Sequence, residues 1–81
     1  MRVRVLAFAR VRELLGAAEL DLDISDGSTA DDAWNALTLR ASGLAEYRAS
    51  TRLACNGRNV AAQQPLKEGD ELALLPPAGG G

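Results

Sequence analysis

Arginine and valine alternate at the start of the chain, Arg2-Val3-Arg4-Val5, before the run turns apolar through Leu6-Ala7-Phe8-Ala9. Alternation has the two-residue period of a strand with one wet face, whereas an unbroken apolar run suits a strand covered on both. The pattern predicts a first strand over 2–9, half exposed at its beginning and enclosed at its end. Arg10 to Leu15 favour helix and stop at Gly16, which predicts one or two turns closed by a left-handed glycine. Leu20, Leu22 and Ile24 then alternate with Asp21 and Asp23, the pattern of a half-buried strand, and Ser25-Asp26-Gly27 turns the chain.

Ser28 or Thr29 is placed to cap the next helix, with Asp31 or Asp32 three residues on as a weaker capping box. Both carboxylates also suit the positive end of the helix dipole. Ala30, Ala33, Trp34 and Leu37 fall at i, i+3, i+4 and i+7, so one face of this helix is apolar. Trp34 brings the largest apolar area in a chain with three aromatics and is the expected core anchor. The helix is expected to fray near Arg40 and to end at Gly43, with a further short turn over 44–49. Thr51 to Cys55 and Asn59 to Ala62 flank Asn56-Gly57, a pair suited to a tight hairpin. A loop from Pro65-Leu66 and a turn at Gly69-Asp70 lead to a last strand, Glu71 to Leu75. Leu74 and Leu75 point to opposite faces of it, and Leu75 is expected on the open one.

Strands with one substantial helix on a single sheet face give an α+β domain. The order predicts a mixed sheet of four to five strands with one main helix packed on one face, the outline of the ubiquitin-like β-grasp. The domain is expected to occupy 1–75, with 76–81 as a Pro-Pro and glycine-rich tail.

Composition removes most chemistry. The 81 residues contain no histidine and one cysteine, Cys55, so triads, His-ligated zinc, disulfides and CxxC sites are absent. A net charge of −2 offers no field for nucleic acid, and no apolar run approaches the roughly 18 residues that a membrane span needs. The alternating start lacks the apolar block and cleavage site of a signal peptide, and the unpaired cysteine suits a reducing compartment, so a cytoplasmic location is expected. Asp21, Asp23, Asp31 and Asp32 read as strand-surface and helix-start residues, and no metal is assigned to them. Cys55 reads as a small buried apolar residue, and Arg10 and Arg12 as solvated helix charges.

The tail is the unusual feature. Gly79-Gly80-Gly81 buries no side chain and carries the greatest backbone entropy, so it adds nothing to a core. It follows Pro76-Pro77, a stiff pair that closes the last strand. A slender chain on a fixed base suits insertion into a narrow channel, with its terminal carboxylate presented to chemistry in another protein.

Phe8-Ala9-Arg10-Val11-Arg12-Glu13-Leu14-Leu15-Gly16 resembles the Phe-Ala-x-x-Arg-Glu-Leu-x-Gly segment of the small subunits of molybdopterin synthase, the MoaD family. Ala54-Cys55-Asn56-Gly57, Gly69-Asp70-Glu71 and the ending Pro76-Pro77-Ala78-Gly79-Gly80-Gly81 extend the resemblance over nearly the whole chain. It implies a sulfur carrier in molybdenum cofactor biosynthesis. The carboxylate of Gly81 would be adenylated by an E1-like (MoeB-like) enzyme using ATP, then converted to a thiocarboxylate by a sulfur donor. The tail, with Leu75, Pro76, Pro77, Ala78, Gly79 and Gly80 leading to Gly81, would enter the large (MoaE-like) subunit of a heterotetramer and give its sulfur to cyclic pyranopterin monophosphate. The carrier itself would bind no cofactor and would be non-catalytic alone. The third glycine, Ala7 in place of a bulkier residue, and Leu74-Leu75 in place of aromatics depart from the family pattern. The alternatives are a related carrier for thiamine or another thio-compound, a ubiquitin-like protein modifier, and an interaction module with an inert tail.

Overall fold

A computed structural model describes residues 1–77. Five strands, β1 (Arg2–Ala7), β2 (Glu19–Asp23), β3 (Arg52–Cys55), β4 (Arg58–Asn59) and β5 (Glu71–Leu75), form one sheet in the order β2-β1-β5-β3-β4. β1 and β5 run parallel, and the other neighbours are antiparallel. Helix α1 (Ala9–Leu15) joins β1 to β2, α2 (Ala30–Arg40) crosses toward the second half of the sheet, and a 3-10 segment spans Ser42–Tyr47. This is the expected mixed sheet with one main helix.

The alternation decides which face is covered. Val3, Val5, Leu22, Leu53, Leu72 and Leu74 are buried beside Ala30, Ala33, Trp34 and Leu37 of α2, the four positions of its apolar stripe. Thr29 caps α2: its hydroxyl accepts from Asp32 N–H at 3.2 Å, and the Asp32 carboxylate accepts from Thr29 N–H at 2.9 Å. Asp31 in the same first turn holds Arg48 at 3.1 Å, and the Arg48 guanidinium lies 5.9 Å from the centre of the Trp34 ring. Asn56 and Gly57 both take positive φ, 51° and 84°, as a hairpin turn twisted with its strands requires.

Four local expectations are corrected. The first strand stops at Ala7, because Ala9 takes φ 53° and swings the chain into α1, leaving Phe8 43% exposed. The end of β1 is accordingly covered on its helix side only, and Leu6 stays half-buried. Helix α2 ends at Arg40, where Ala41 N–H returns to Leu37 O, and Gly43 lies inside the 3-10 segment. A Cβ at Gly43 would stand 3.3 Å from Leu14 Cδ2, so close packing on α1 explains this glycine. The hairpin return is two residues long, not four. Beyond Val60 the chain leaves the sheet, and the carbonyls of Ala62 and Gln64 accept from Asp31 and Ala30 N–H at 2.9 Å each. Those amides at the start of α2 have no partner within the helix, and this loop supplies one.

Candidate functional site at the root of the tail

β5 is hydrogen-bonded on both sides, to β1 and to β3, and the chain leaves it at Pro76-Pro77. Neither proline can donate to a ladder, so pairing stops there. Arg52, opposite Leu75 on β3, donates from Nε to the Pro76 carbonyl at 3.1 Å. Both sides of the exit are therefore held, one by the neighbouring strand and one by a charge-assisted hydrogen bond.

Beside the exit lies a shallow hollow of about 230 Å³, with Phe8, Val11, Tyr47 and Thr51 in its wall and Pro76 and Pro77 at its rim. Three separate sequence features build it. The left-handed turn at Ala9 throws Phe8 outward, α1 presents Val11, and the 3-10 segment brings Tyr47. Thr51 is buried, and its hydroxyl donates to Tyr47 O at 2.6 Å, which fixes the floor. Arg10 at the mouth is held by Glu13 at 2.8 Å.

The face of the sheet away from α2 continues this surface. Leu6 pairs with Ala73, Ala73 with Ala54, and Leu75 sits at the next outward position of β5. Leu74 is fully buried and Leu75 half-buried, in line with the expectation that Leu75 faces outward. Charged pairs border this apolar centre: Arg2 with Asp23 at 3.1 Å, and Arg4 with Glu19 at 3.0 Å and Asp21 at 3.9 Å.

The remaining candidates fall elsewhere. Asp21 and Asp23 are engaged by arginines, Asp31 and Asp32 serve α2, and among the described residues no three His, Cys, Asp or Glu side chains gather as a metal site would require. Among these residues, too, no helix is long and apolar enough to cross a membrane. Cys55 is buried and free, and its thiol lies 3.6 Å from the Asp70 carboxylate. Burial pushes the thiol pKa up, and the Asp70 charge adds to this. Asp70 itself is held below the usual carboxylate range, by the Asn56 amide first and the Lys67 N–H second. Ala78, Gly79, Gly80 and Gly81 lie outside the described residues. In the sequence Phe8 belongs to the first strand and to the segment that carries the family resemblance, without a role at the tail root, and Tyr47 and Arg52 carry no mark of one. An apolar residue directly before a sharp turn was the available signal for Phe8; the other two carry none.

Comparison with known proteins adds the following. The pattern of the ThiS family matches residues 5–81. A molybdopterin synthase sulfur carrier subunit of Arabidopsis thaliana is 37% identical over 81 residues, covering 100% of this chain and 84% of the relative. Among solved structures, a putative molybdopterin converting factor subunit 1 of Pyrococcus furiosus superposes with a TM-score of 0.87 at 29% identity, covering 96% of this chain and 99% of that one. Small archaeal modifier protein 1 of H. volcanii gives 0.86 at 26% identity, with 95% and 98% covered. A chain in the complex of subunits 1 and 2 of molybdopterin-converting factor from Helicobacter pylori gives 0.68 at 27% identity, with both chains covered fully.

Proposed function

The chain belongs to the ThiS family of ubiquitin-like β-grasp proteins, and from that premise we propose that it is the sulfur carrier subunit of a molybdopterin synthase. The observation that carries this reading is the exit of the tail. A central strand, clamped on both sides, runs into Pro76-Pro77 and then into a sequence with no side chain larger than a methyl group, Ala78-Gly79-Gly80-Gly81. Residues 1–75 are the base, and 76–81 are the arm.

The chemistry needs little from the carrier. A carboxylate is a poor electrophile; adenylation of Gly81 by an E1-like enzyme supplies AMP as leaving group, and a sulfur donor replaces it to give a thiocarboxylate. The soft sulfur is then the nucleophile delivered to cyclic pyranopterin monophosphate. ATP and the sulfur donor act in the activating enzyme, so the carrier requires no cofactor, histidine or reactive cysteine of its own. Pro76 and Pro77 limit the directions in which the arm leaves, while Ala78, Gly79 and Gly80 keep it narrow enough for a channel. The large subunit docks on the surface around the exit, with Phe8, Leu6, Ala73 and Leu75 as the apolar centre and the charged pairs as its rim, the usual layout of a protein interface. The H. pylori relative is solved in complex with a second subunit, which supports this partner. The free thiol of Cys55 supports a cytoplasmic setting for this chemistry.

Intact mass after incubation with ATP, an E1-like enzyme and a sulfur source tests the reading. The expected result is exchange of one oxygen for sulfur at Gly81. No exchange, with an enzyme shown to act on another carrier, refutes it. The likeness to an archaeal modifier favours a second reading, in which the activated Gly81 acylates lysines of other proteins. Its mark in the same experiment is a covalent protein adduct in place of the thiocarboxylate.

A further inference from the structure

An activated C-terminal carboxyl is dangerous to the protein that bears it, because any nearby amine can take the acyl group. The chain carries few amines. Of its nine lysines and arginines, eight are arginines, and guanidinium stays protonated and unreactive. The Met1 amine is occupied: it donates to Ile24 O at 2.7 Å and pairs with Asp26 at 3.3 Å. The Cys55 thiol is buried against Asp70. Lys67 is the one lysine, and it is exposed.

Its position is specific. Lys67 opens the turn that precedes β5: its N–H donates to the Asp70 carboxylate at 2.8 Å, and its carbonyl accepts from Asp70 N–H. Gly69 N–H bonds to Arg2 O, so this turn sits where β1 begins. The tail leaves where β1 ends, since Leu74 pairs with Ala7. Lys67 and the tail root thus occupy opposite ends of the same strand. From Asp70 to Leu75 is roughly 16 Å of extended chain, and the four residues after Pro77 span at most about 14 Å when fully stretched. Only a stretched tail doubled back along the sheet and aimed at a stretched lysine stem would close the gap, so the effective concentration within one molecule is near its floor.

We propose that Lys67 is the single acylation site of this chain, open to the activated C terminus of a second copy and strongly disfavoured for its own. This rests on the reading that the Gly81 carboxyl becomes an acyl adenylate or thioester. The Lys67 amine, once deprotonated, attacks the Gly81 carbonyl; the C–N bond forms, the C–O or C–S bond breaks, AMP or thiol leaves, and the amine proton passes to solvent. The arginine-rich composition and the tied Met1 amine reserve the activated carboxyl for the partner's sulfur chemistry, and self-conjugation is confined to one bimolecular route.

The full chain, released from an intein as its C-terminal thioester, tests this without any activating enzyme, so the outcome is independent of whether adenylation and sulfur transfer occur. Incubated at mildly alkaline pH over a range of concentrations, it is expected to form a covalent dimer at a rate rising with the square of concentration, with peptide mapping giving a Gly81–Lys67 link. Lys67→Arg is expected to abolish that dimer. Arg52→Lys, which brings an amine to the tail root, is expected to give instead a closed monomer at a concentration-independent rate. A closed monomer in the unmodified chain, linkage at Met1, an undiminished dimer in Lys67→Arg, or absence of any Lys67 adduct at the highest concentration would each overturn the proposal.

Discussion

Replacing Trp34 with alanine tests the whole argument about the core. The side chain is 1% exposed and sits at the middle of the apolar stripe of α2, against strands from both halves of the sheet. A tryptophan buries about 150–250 Å², which at about 25 cal/mol per Å² corresponds to roughly 4–6 kcal/mol, of which an alanine retains a part. Truncations of this kind cost about 3–5 kcal/mol once the residual cavity is included. Arg48 loses its aromatic partner as well, but it is partly exposed and tied to Asp31, so that contact adds only about 0.5–1 kcal/mol. An 81-residue domain has a total stability on the order of 4–12 kcal/mol. The variant is therefore expected to lose about a quarter or more of its stability. Urea unfolding followed by far-ultraviolet circular dichroism reads this directly. With a slope of about 1–1.5 kcal/mol per M, the midpoint should fall by roughly 2–5 M. Trp34→Phe, which keeps most of the volume, should lose less than about 1.5 kcal/mol. A loss below about 1 kcal/mol for the alanine variant would mean that the helix does not anchor the core, and the placement of every strand against it would fall with it.

Other outcomes follow from single residues. Ala9→Gly is expected to raise stability by up to about 1 kcal/mol, because glycine carries no penalty at φ 53°, and Gly57→Ala at φ 84° to lower it by about 1–2 kcal/mol; urea midpoints check both. Deleting Gly80-Gly81 should change stability by less than about 0.5 kcal/mol while removing all thiocarboxylate formation, as read by unfolding and intact mass. The folded-state pKa of Asp70 lies below its unfolded value of about 3.9, so its contribution is complete above that pH and is lost as pH falls through the folded value; Asp70→Asn should flatten that limb of the pH–stability curve. Cys55 should resist alkylation near neutral pH in the native protein, and Asp70→Asn should speed it by removing the charge that opposes thiolate formation.

The elements legible in the sequence are those whose cause is local. The α2 stripe, the Thr29 capping box, the closing Gly16 and the Asn56-Gly57 turn each follow from side chains or backbone freedom within a few residues, and each stands in the structure as expected. The misplacements have distant causes. The loop after Val60 abandons the sheet because amides at the start of α2, some thirty residues earlier, take its carbonyls. Gly43 looks like a helix terminator until Leu14 is placed beside it. At the tail root the local signal was present for the prolines and glycines but absent for Tyr47 and Arg52, which reach the exit only through the packing of the 3-10 segment and the register of β3.

The order of the strands explains how a domain this small anchors its C-terminal segment. The final strand of a sheet with simple neighbour-to-neighbour topology would lie at an edge, with one side unpaired and able to fray. Here the crossover through α2 inserts β5 between β1 and β3, so the last strand in sequence is the middle one in space. Its inner face holds Leu72 and Leu74 in the core, and both of its edges are satisfied. Opening that strand means breaking two ladders and the core at once, which places its local unfolding near the global limit. The chain therefore leaves at Pro76 from a strand held by both of its neighbours. The weaker strands, β2 with its arginine–carboxylate pairs and the two-residue β4, take the edges, where charge and brevity discourage unwanted pairing. Placing the C-terminal strand at the centre of the sheet gives the chain that follows it a stiff base, with one main helix, α2, covering the core.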